Sequence, residues 1–148
     1  MKFEIVSEEH RKHPDEDIVL PVRKTKYSAG YDFTIYEDIW LNPGDTHIFW
    51  TDVKICMPVE NFLMLTIRSS YAKEGLTLSN SPGIIDADYY GNESNDGNIG
   101  FMVRNFNIND GVRIKAGESI GQGIIVKYDT TFDDDVQTER TGGMGSTC

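Results

Sequence analysis

Apolar residues alternate with polar ones, or gather in short β-branched runs, at intervals along the whole chain. A period of two is the pattern of a strand that has one face buried and the other in water. We therefore predict strands at 2–6, 17–22, 31–36, 47–57, 62–67, 99–106, 112–115 and 119–128. Many short strands at this spacing indicate an all-β fold, either an antiparallel barrel or a jelly roll.

Turn sequences rich in glycine, proline and asparagine separate these predicted strands (SAG, NPGD, SNSPG, NDG and NINDG). One short helix is predicted at 70–75, where Gly75 suits the position that ends a helix. Two segments, 7–17 and 129–148, carry few core-forming side chains. We expect the first to be a polar loop. The second is either a frayed terminus or an arm that becomes ordered over a ligand, because nothing apolar offsets its ordering entropy.

Length and charge exclude several classes of protein. The 148 residues, 39% hydrophobic and 26% charged, are typical of one soluble globular domain. No apolar run approaches the roughly 18 residues of a membrane span, and the first residues lack the apolar stretch of a secretory signal. The formal net charge of -10 argues against a nucleic-acid polymer as partner, since such binding needs a basic face.

Cysteine and histidine do not form a recognisable metal or disulfide pattern. Cys56 lies in VKICMPV, which predicts a buried strand, and Cys148 is the last residue. Two free thiols in a reducing cytoplasm are therefore expected. His10, His13 and His47 match no zinc-binding spacing, so we expect them at the surface.

Three stretches carry residues suited to phosphate chemistry. In 67–75 (IRSSYAKEG), a guanidinium, two hydroxyls and turn amides can converge on phosphate oxygens. In 79–92 (SNSPGIIDADYYGN), the pair Ile84 and Ile85 precedes Asp86 and would hold that carboxylate at the rim of a cavity, as a general base requires. In the C-terminal tail, an arginine precedes flexible glycines that can fold onto an anion.

Taken in order, five segments resemble the five motifs of the trimeric deoxyuridine triphosphatases (dUTPases). They are SAGYDF (28–33), RSS (68–70), NSPGIIDADYYG (80–91), SIGQ (119–122) and RTGGMGST (140–147). The resemblance implies a β jelly roll of the β-clip type, here residues 1–128, and a flexible arm, 129–148, that completes the active site. It also implies a homotrimer with active sites shared between subunits.

The reaction implied by the resemblance is Mg²⁺-dependent hydrolysis of dUTP to dUMP and pyrophosphate. Such a reaction keeps uracil out of DNA and supplies dUMP for thymidylate synthesis. Asp86 matches the general base of the family, and Tyr89 matches the residue that packs under the deoxyribose and excludes a 2′-hydroxyl. The residues that match the family's uracil contacts are Asn80, Gly83, Ile84, Ile85 and Gly100, in a pocket too narrow for a 5-methyl group.

The triphosphate contacts also follow from the resemblance. Residues that match the family's phosphate contacts are Arg68, Ser69, Ser70 and Gln122, together with Arg140 at the γ-phosphate. Mg²⁺ would be held mainly by the phosphates, with Asp32 touching it through water. The sequence departs from the family at Met144, where a phenylalanine usually stacks on uracil, and in an additional acidic hairpin at 92–98.

Two alternatives remain at this stage. A dCTP deaminase of the same fold class needs a carboxylate on the strand after the third motif, and NIGFMVRNF contains none. A protein-binding regulator gated by dUTP would use the loops at 7–17 and 92–98 as contact surfaces, so a regulatory protein partner is left open.

Overall fold

A computed structural model describes residues 1–145, and it is built almost entirely from antiparallel strands. The strands are β1 (Lys2–Ile5), β2 (Tyr31–Thr34), β3 (Ile39–Leu41), β4 (Thr46–Trp50), β5 (Val53–Cys56), β6 (Asn61–Ile67), β7 (Leu76–Leu78), β8 (Gly83–Asp86), β9 (Gly100–Asn105), β10 (Val112–Ile114) and β11 (Ser119–Lys127). One short helix, α1 (Ser69–Lys73), and two single 3₁₀ turns complete the fold. The predicted all-β class is confirmed.

The strands form a four-stranded sheet in the order β2-β11-β6-β8 and a three-stranded sheet in the order β4-β9-β7. Two further two-stranded sheets pair β1 with β5 and β10 with β3. Alternate residues of these strands point into one core, which includes Phe33, Phe49, Leu63, Phe101 and Ile120, all fully buried. Burying a side chain of this size stabilises the folded chain by about 1.5–3 kcal/mol. Burial of the apolar residues that alternate along the strands is therefore a main source of the stability of the fold.

The helix α1 begins directly after Arg68 and ends at Lys73, close to the predicted range. Gly75 has a φ of 87°, a left-handed conformation that other residues adopt with strain. A glycine there returns the chain to β7, so the expected helix end is confirmed. The position matters because α1 presents Ser69 and Ser70 in its first turn.

The predicted strand at 17–22 is wrong. Val19, Leu20 and Val22 are exposed, and one isolated bridge from Val22 to Asp32 is the pairing there. Pro21 has no N–H to donate to a ladder, and among the described residues the pairing with β2 does not extend beyond the bridge between Val22 and Asp32.

The predicted strand at 47–57 is divided in two. Asp52 has a φ of 55°, and its fully buried carboxylate accepts hydrogen bonds from the backbone N–H groups of Lys12 and His13 at 2.8 Å each. The chain turns at this point, so that β4 pairs with β9 and β5 pairs with β1. The segment 7–17 is thereby fastened to the sheet and is more than a solvated loop.

The expectations for Cys56 and for the three histidines also need correction. Cys56 lies on β5 as predicted, but its side chain is on the exposed face and its thiol is free. The histidines at 10, 13 and 47 are half-buried instead of lying freely at the surface; His13 bonds the carbonyl of Trp50 at 3.1 Å. Cys148 and the end of the fifth motif lie outside the described residues.

Candidate active site

A cavity of about 300 Å³ lies where β6, β8 and the start of β9 meet the C-terminal tail. We call it the Asp86 cavity. Its walls are Leu65, Asn80, Pro82, Gly83, Ile84, Ile85, Asp86, Tyr89, Gly100, Arg140, Met144 and Gly145. Every residue predicted for the general base, the sugar and the uracil is in this set, together with the predicted arm residues Arg140 and Met144.

The pleat of β8 explains the position of Asp86. Along this strand, Gly83 and Ile85 face the core, whereas Ile84 and Asp86 face outward. Ile85 thus anchors the strand, while the Asp86 carboxylate remains 52% exposed at the cavity rim. A carboxylate in that position is accessible to a water molecule and can accept its proton.

Tyr89 forms the floor of the cavity. Its side chain is almost completely buried, and its hydroxyl donates to the carbonyl of Asn98 at 2.7 Å and accepts from Asn95 Nδ2 at 2.8 Å. Burial raises the pKa of Tyr89, while the hydrogen bond from Asn95 acts in the opposite direction. The hydroxyl is therefore neutral and fully bonded, and the ring is the part of Tyr89 that faces a ligand.

The predicted acidic hairpin after Tyr89 is a compact loop, residues 91–98, which we call the amide loop. Asn92 Nδ2 donates to the Tyr89 carbonyl at 2.8 Å and to Asn95 Oδ1 at 2.7 Å. Asn92 Oδ1 in turn accepts the backbone N–H groups of residues 94 and 95. Asp96 anchors the far side, where it pairs with Lys54 at 2.7 Å.

The C-terminal tail closes over the Asp86 cavity within the same chain. The Arg140 side chain is only 8% exposed, and its guanidinium pairs with Asp86 at 2.8 Å and with Asp88 at 2.9 Å. Its guanidinium lies 5.8 Å from the centre of the Tyr89 ring. The tail also contacts the amide loop, where the Gly143 N–H donates to the Ser94 hydroxyl at 3.2 Å.

A second cavity, of about 270 Å³, lies where β2, β11 and the start of α1 come together. We call it the Arg68 cavity. It is lined by Lys24, Ser28, Gly30, Asp32, Arg68, Ser69, Ser70 and Gln122. The structure thus brings together the predicted phosphate contacts of the second and fourth motifs, with Asp32 of the first motif, the predicted magnesium contact, beside them. Arg140 does not line this cavity.

The close approach of Gly30 to the Gln122 side chain shapes the Arg68 cavity. Gln122 lies opposite Asp32 on the paired strands β11 and β2. A Cβ at Gly30 would overlap the Gln122 carboxamide, so a residue larger than glycine at this position would displace that side chain. The glycine of the first motif therefore provides the space that the glutamine of the fourth motif occupies.

Charged groups in the Arg68 cavity are incompletely paired. Asp32 Oδ2 is buried and accepts no hydrogen bond, and Arg68 Nη1 lies 3.6 Å from it. Lys24 is exposed at the edge and forms no ion pair with a described residue. A buried carboxylate oxygen with no hydrogen bond is costly, so this arrangement suits a cavity that is completed by a ligand.

The Arg68 cavity also fits a magnesium ion. Carboxylate oxygens are the protein ligands that Mg²⁺ prefers, and Mg²⁺ commonly takes one or two of them together with substrate phosphates and water. The free Asp32 Oδ2 supplies one such oxygen. The described residues contain no cluster of three or more potential metal ligands, so any Mg²⁺ here would take most of its ligands from outside the protein.

Lys24, Asp88 and Asn95 are neighbours of these cavities that sequence reasoning did not assign a role. Lys24 lies in a short basic run at 22–26, and Asp88 follows the Pro82-Gly83 turn two residues after Asp86; neither pattern by itself indicates a role. The polar sequence at 92–98 was recognised as additional, but its contacts depend on side-chain amides whose partners a linear sequence does not reveal.

Comparison with known proteins links this arrangement to one family. A family model described as dUTPase matches residues 16–148. The deoxyuridine 5′-triphosphate nucleotidohydrolase of Lactococcus lactis is 38% identical over 98% of this chain and 95% of its own length. The enzyme of the same name from Corynebacterium diphtheriae is 34% identical over 90% of this chain and 88% of its own length.

Solved structures agree with these relatives. The dUTPase of Streptococcus mutans superposes with a TM-score of 0.75 at 34% identity, covering 88% of this chain and 98% of that one. A mutant dUTPase of Staphylococcus aureus phage phi11, described with a coordinated structural Mg(II) ion, has a TM-score of 0.69 at 24% identity, covering 93% and 96%. The latter similarity concerns the fold alone.

Proposed function

The chain belongs to the dUTPase family, and from that premise we propose that it hydrolyses dUTP to dUMP and pyrophosphate with Mg²⁺. The sequence-based assignment to the family is confirmed by the matches above. The activity would remove dUTP before it is incorporated into DNA and would supply dUMP for thymidylate synthesis. The observation that carries the proposal is the position of Asp86 beside the Tyr89 ring in one cavity.

Asp86 acts as the general base. Its exposed carboxylate takes a proton from a water molecule, whose oxygen attacks the α-phosphorus of dUTP. The new bond forms between that oxygen and the α-phosphorus, and the bond from the α-phosphorus to the bridging oxygen breaks, so that pyrophosphate leaves. Arg140 Nη2 donates to Asp86 Oδ2, and the exposed part of the carboxylate is where the water binds.

The nucleoside lies in the Asp86 cavity. The Tyr89 ring packs under the deoxyribose, and its buried position leaves no space for a 2′-hydroxyl. Asn80 and the backbone of β8 and Gly100 contact the edge of the uracil. Met144 faces the same cavity and replaces an aromatic stack, worth about 1–3 kcal/mol, with a polarizable contact.

The triphosphate binds in the Arg68 cavity. Arg68 offers a planar set of donors, and Ser69, Ser70 and Gln122 add neutral ones. Mg²⁺, when bound beside Asp32, neutralises part of the phosphate charge in a chain whose net charge is strongly negative. Phosphoryl transfer depends mainly on such positioning and charge stabilisation.

Complete sites form between subunits of a homotrimer. The Asp86 cavity and the Arg68 cavity share no lining residue within one chain, although one dUTP must contact both sets. Apolar side chains that a partner subunit can cover are exposed beside the Arg68 cavity, among them Val19 and Val22. The C-terminal segment after β11 serves as the arm that completes the site, and Phe132 and Val136 on it are also exposed.

Product analysis tests the reaction. The purified protein is incubated with Mg²⁺ and, separately, with dUTP, dCTP, UTP or dTTP, and the products are separated. We expect dUMP and pyrophosphate from dUTP alone, and no products after EDTA is added. Deamination of dCTP would move the protein to the deaminase branch of the fold. Binding of dUTP without turnover would favour the protein-binding regulator.

Subunit mixing tests the shared sites. Asp86→Asn and Arg68→Gln each damage a different cavity, so each homotrimer should be nearly inactive. Denaturing and refolding the two variants together should restore about one quarter of the wild-type sites, because some subunit junctions then combine two intact halves. Activity no greater than that of the separate variants would show that each site lies within one chain.

A further inference from the structure

Tyr89 is held by the amide loop through its hydroxyl as well as through its backbone. The hydroxyl bonds Asn95 Nδ2, from the middle of the loop, and the Asn98 carbonyl, from its end. An aromatic side chain fixed at its tip has less freedom to tilt than one fixed by packing alone. The position of the ring therefore depends on the loop as well as on the strand that carries it.

Asn95 has every hydrogen-bonding group of its side chain directed inward. Its Nδ2 donates to Tyr89, and its Oδ1 accepts from Asn92 Nδ2 at 2.7 Å and from the Gly97 N–H at 3.1 Å. A side-chain amide with both ends engaged has a defined orientation, and it transmits that orientation to its partner. Asn92 in turn supports Asn95 and is itself 94% buried.

We propose that Asn95 is a positioning residue that holds the Tyr89 ring against the sugar and thereby sets the preference for deoxyribose over ribose. The inference rests on the proposed function, because it assumes that Tyr89 faces the sugar. Removing the donor at residue 95 frees the hydroxyl end of Tyr89, and the ring can then yield to a 2′-hydroxyl. We expect kcat/KM for UTP to rise, while kcat/KM for dUTP changes little.

The test is the ratio of kcat/KM for dUTP to kcat/KM for UTP in Asn95→Ala and Tyr89→Phe, singly and together. Each single change should lower the ratio about three- to tenfold, the range expected for one buried hydrogen bond. Tyr89→Phe removes the bond from Asn95 and also the bond to the Asn98 carbonyl, so the double variant should lower the ratio no further than Tyr89→Phe alone. The decrease should come from a lower KM for UTP, which a merely destabilised protein would not show.

Two further variants protect the test against a folding defect. Asn95→Leu has almost the same shape but can neither donate to the Tyr89 hydroxyl nor accept from it; it should lower the ratio as Asn95→Ala does. Asn109→Ala changes the asparagine of the other Asn-Asp-Gly sequence, which is exposed and outside both cavities, and it should leave the ratio unchanged. Melting temperatures confirm that each variant is folded.

An unchanged ratio in folded Asn95→Leu, or single effects that multiply in the double variant, would overturn the inference while the proposed function stands. A wild-type protein that hydrolyses UTP as readily as dUTP, or neither, would overturn both. The wild-type ratio is therefore measured first.

Discussion

The Asp86 cavity and the Arg68 cavity differ in how their polar groups are satisfied within one chain. In the first, Arg140 pairs with both carboxylates and the Tyr89 hydroxyl has two partners. In the second, among residues 1–145, Asp32 Oδ2 lies 3.6 Å from Arg68 but accepts no hydrogen bond, and Lys24 forms no ion pair. A cavity whose polar groups bond one another holds a fixed shape. A cavity whose charged groups lack hydrogen-bond partners can bind a charged ligand. The contrast matches a nucleoside in the first cavity and a triphosphate in the second.

The largest effect should come from the base in the Asp86 cavity. Asp86→Asn removes the proton acceptor but keeps the shape of the side chain, so kcat should fall about 10²- to 10⁴-fold while a non-hydrolysable analogue of dUTP still binds. Asp88→Asn is the matched control, since Asp88 is equally exposed and also pairs with Arg140. Its kcat should change far less. Turnover close to wild type in Asp86→Asn would remove Asp86 from its role.

Loss of the arm should have the next largest effect. Deleting residues 138–148 removes Arg140 and opens the Asp86 cavity to water, so kcat/KM should fall about 10²- to 10³-fold. The trimer should persist in gel filtration, because the β strands end at Lys127. Arg140→Gln is the narrower variant and tests the charge alone. If the truncated protein is fully active, the tail is a frayed terminus, and the self-pairing seen in the Asp86 cavity has no part in catalysis.

The smallest effect should come from Lys24, at the edge of the Arg68 cavity. Lys24→Gln removes an exposed positive charge beside the proposed triphosphate, and KM for dUTP should rise about two- to fivefold at low salt with kcat unchanged. The difference should disappear at high ionic strength, because exposed charges are screened. Lys26→Gln is the control, since Lys26 lies over the Tyr27 ring and outside the cavity. Equal changes in KM for both variants would assign the effect to overall charge.

Much of the fold could be predicted from local pattern alone. Over most of its length β6 alternates between buried and partly buried residues, and Gly75 ends α1 where its left-handed backbone is needed. The third-motif residues Ile85 and Asp86 also follow from alternation, since neighbours on a strand must face opposite sides. In each case one residue's chemistry and its spacing decide the outcome.

Other features depended on partners distant in the chain. The apolar run at 17–22 resembles a strand, but in the described chain it meets β2 at one isolated bridge and forms no ladder. Asp52 divides 47–57 because its carboxylate is bonded by residues 12 and 13. The short strand β8 forms because β6 lies beside it. The contact of Asn95 with Tyr89 is of the same kind, because it depends on the path of a whole loop.

The sequence by itself therefore determined the all-β class, the family and the residue types of the candidate site, because these follow from periodicity and from motif chemistry that is local in the chain. The tertiary structure decided which groups share a cavity, that Arg140 pairs with Asp86, and that Asn95 holds the Tyr89 hydroxyl. Hydrogen bonds and ion pairs require atoms to meet within about 3 Å, and only the folded chain sets such distances between residues far apart in sequence.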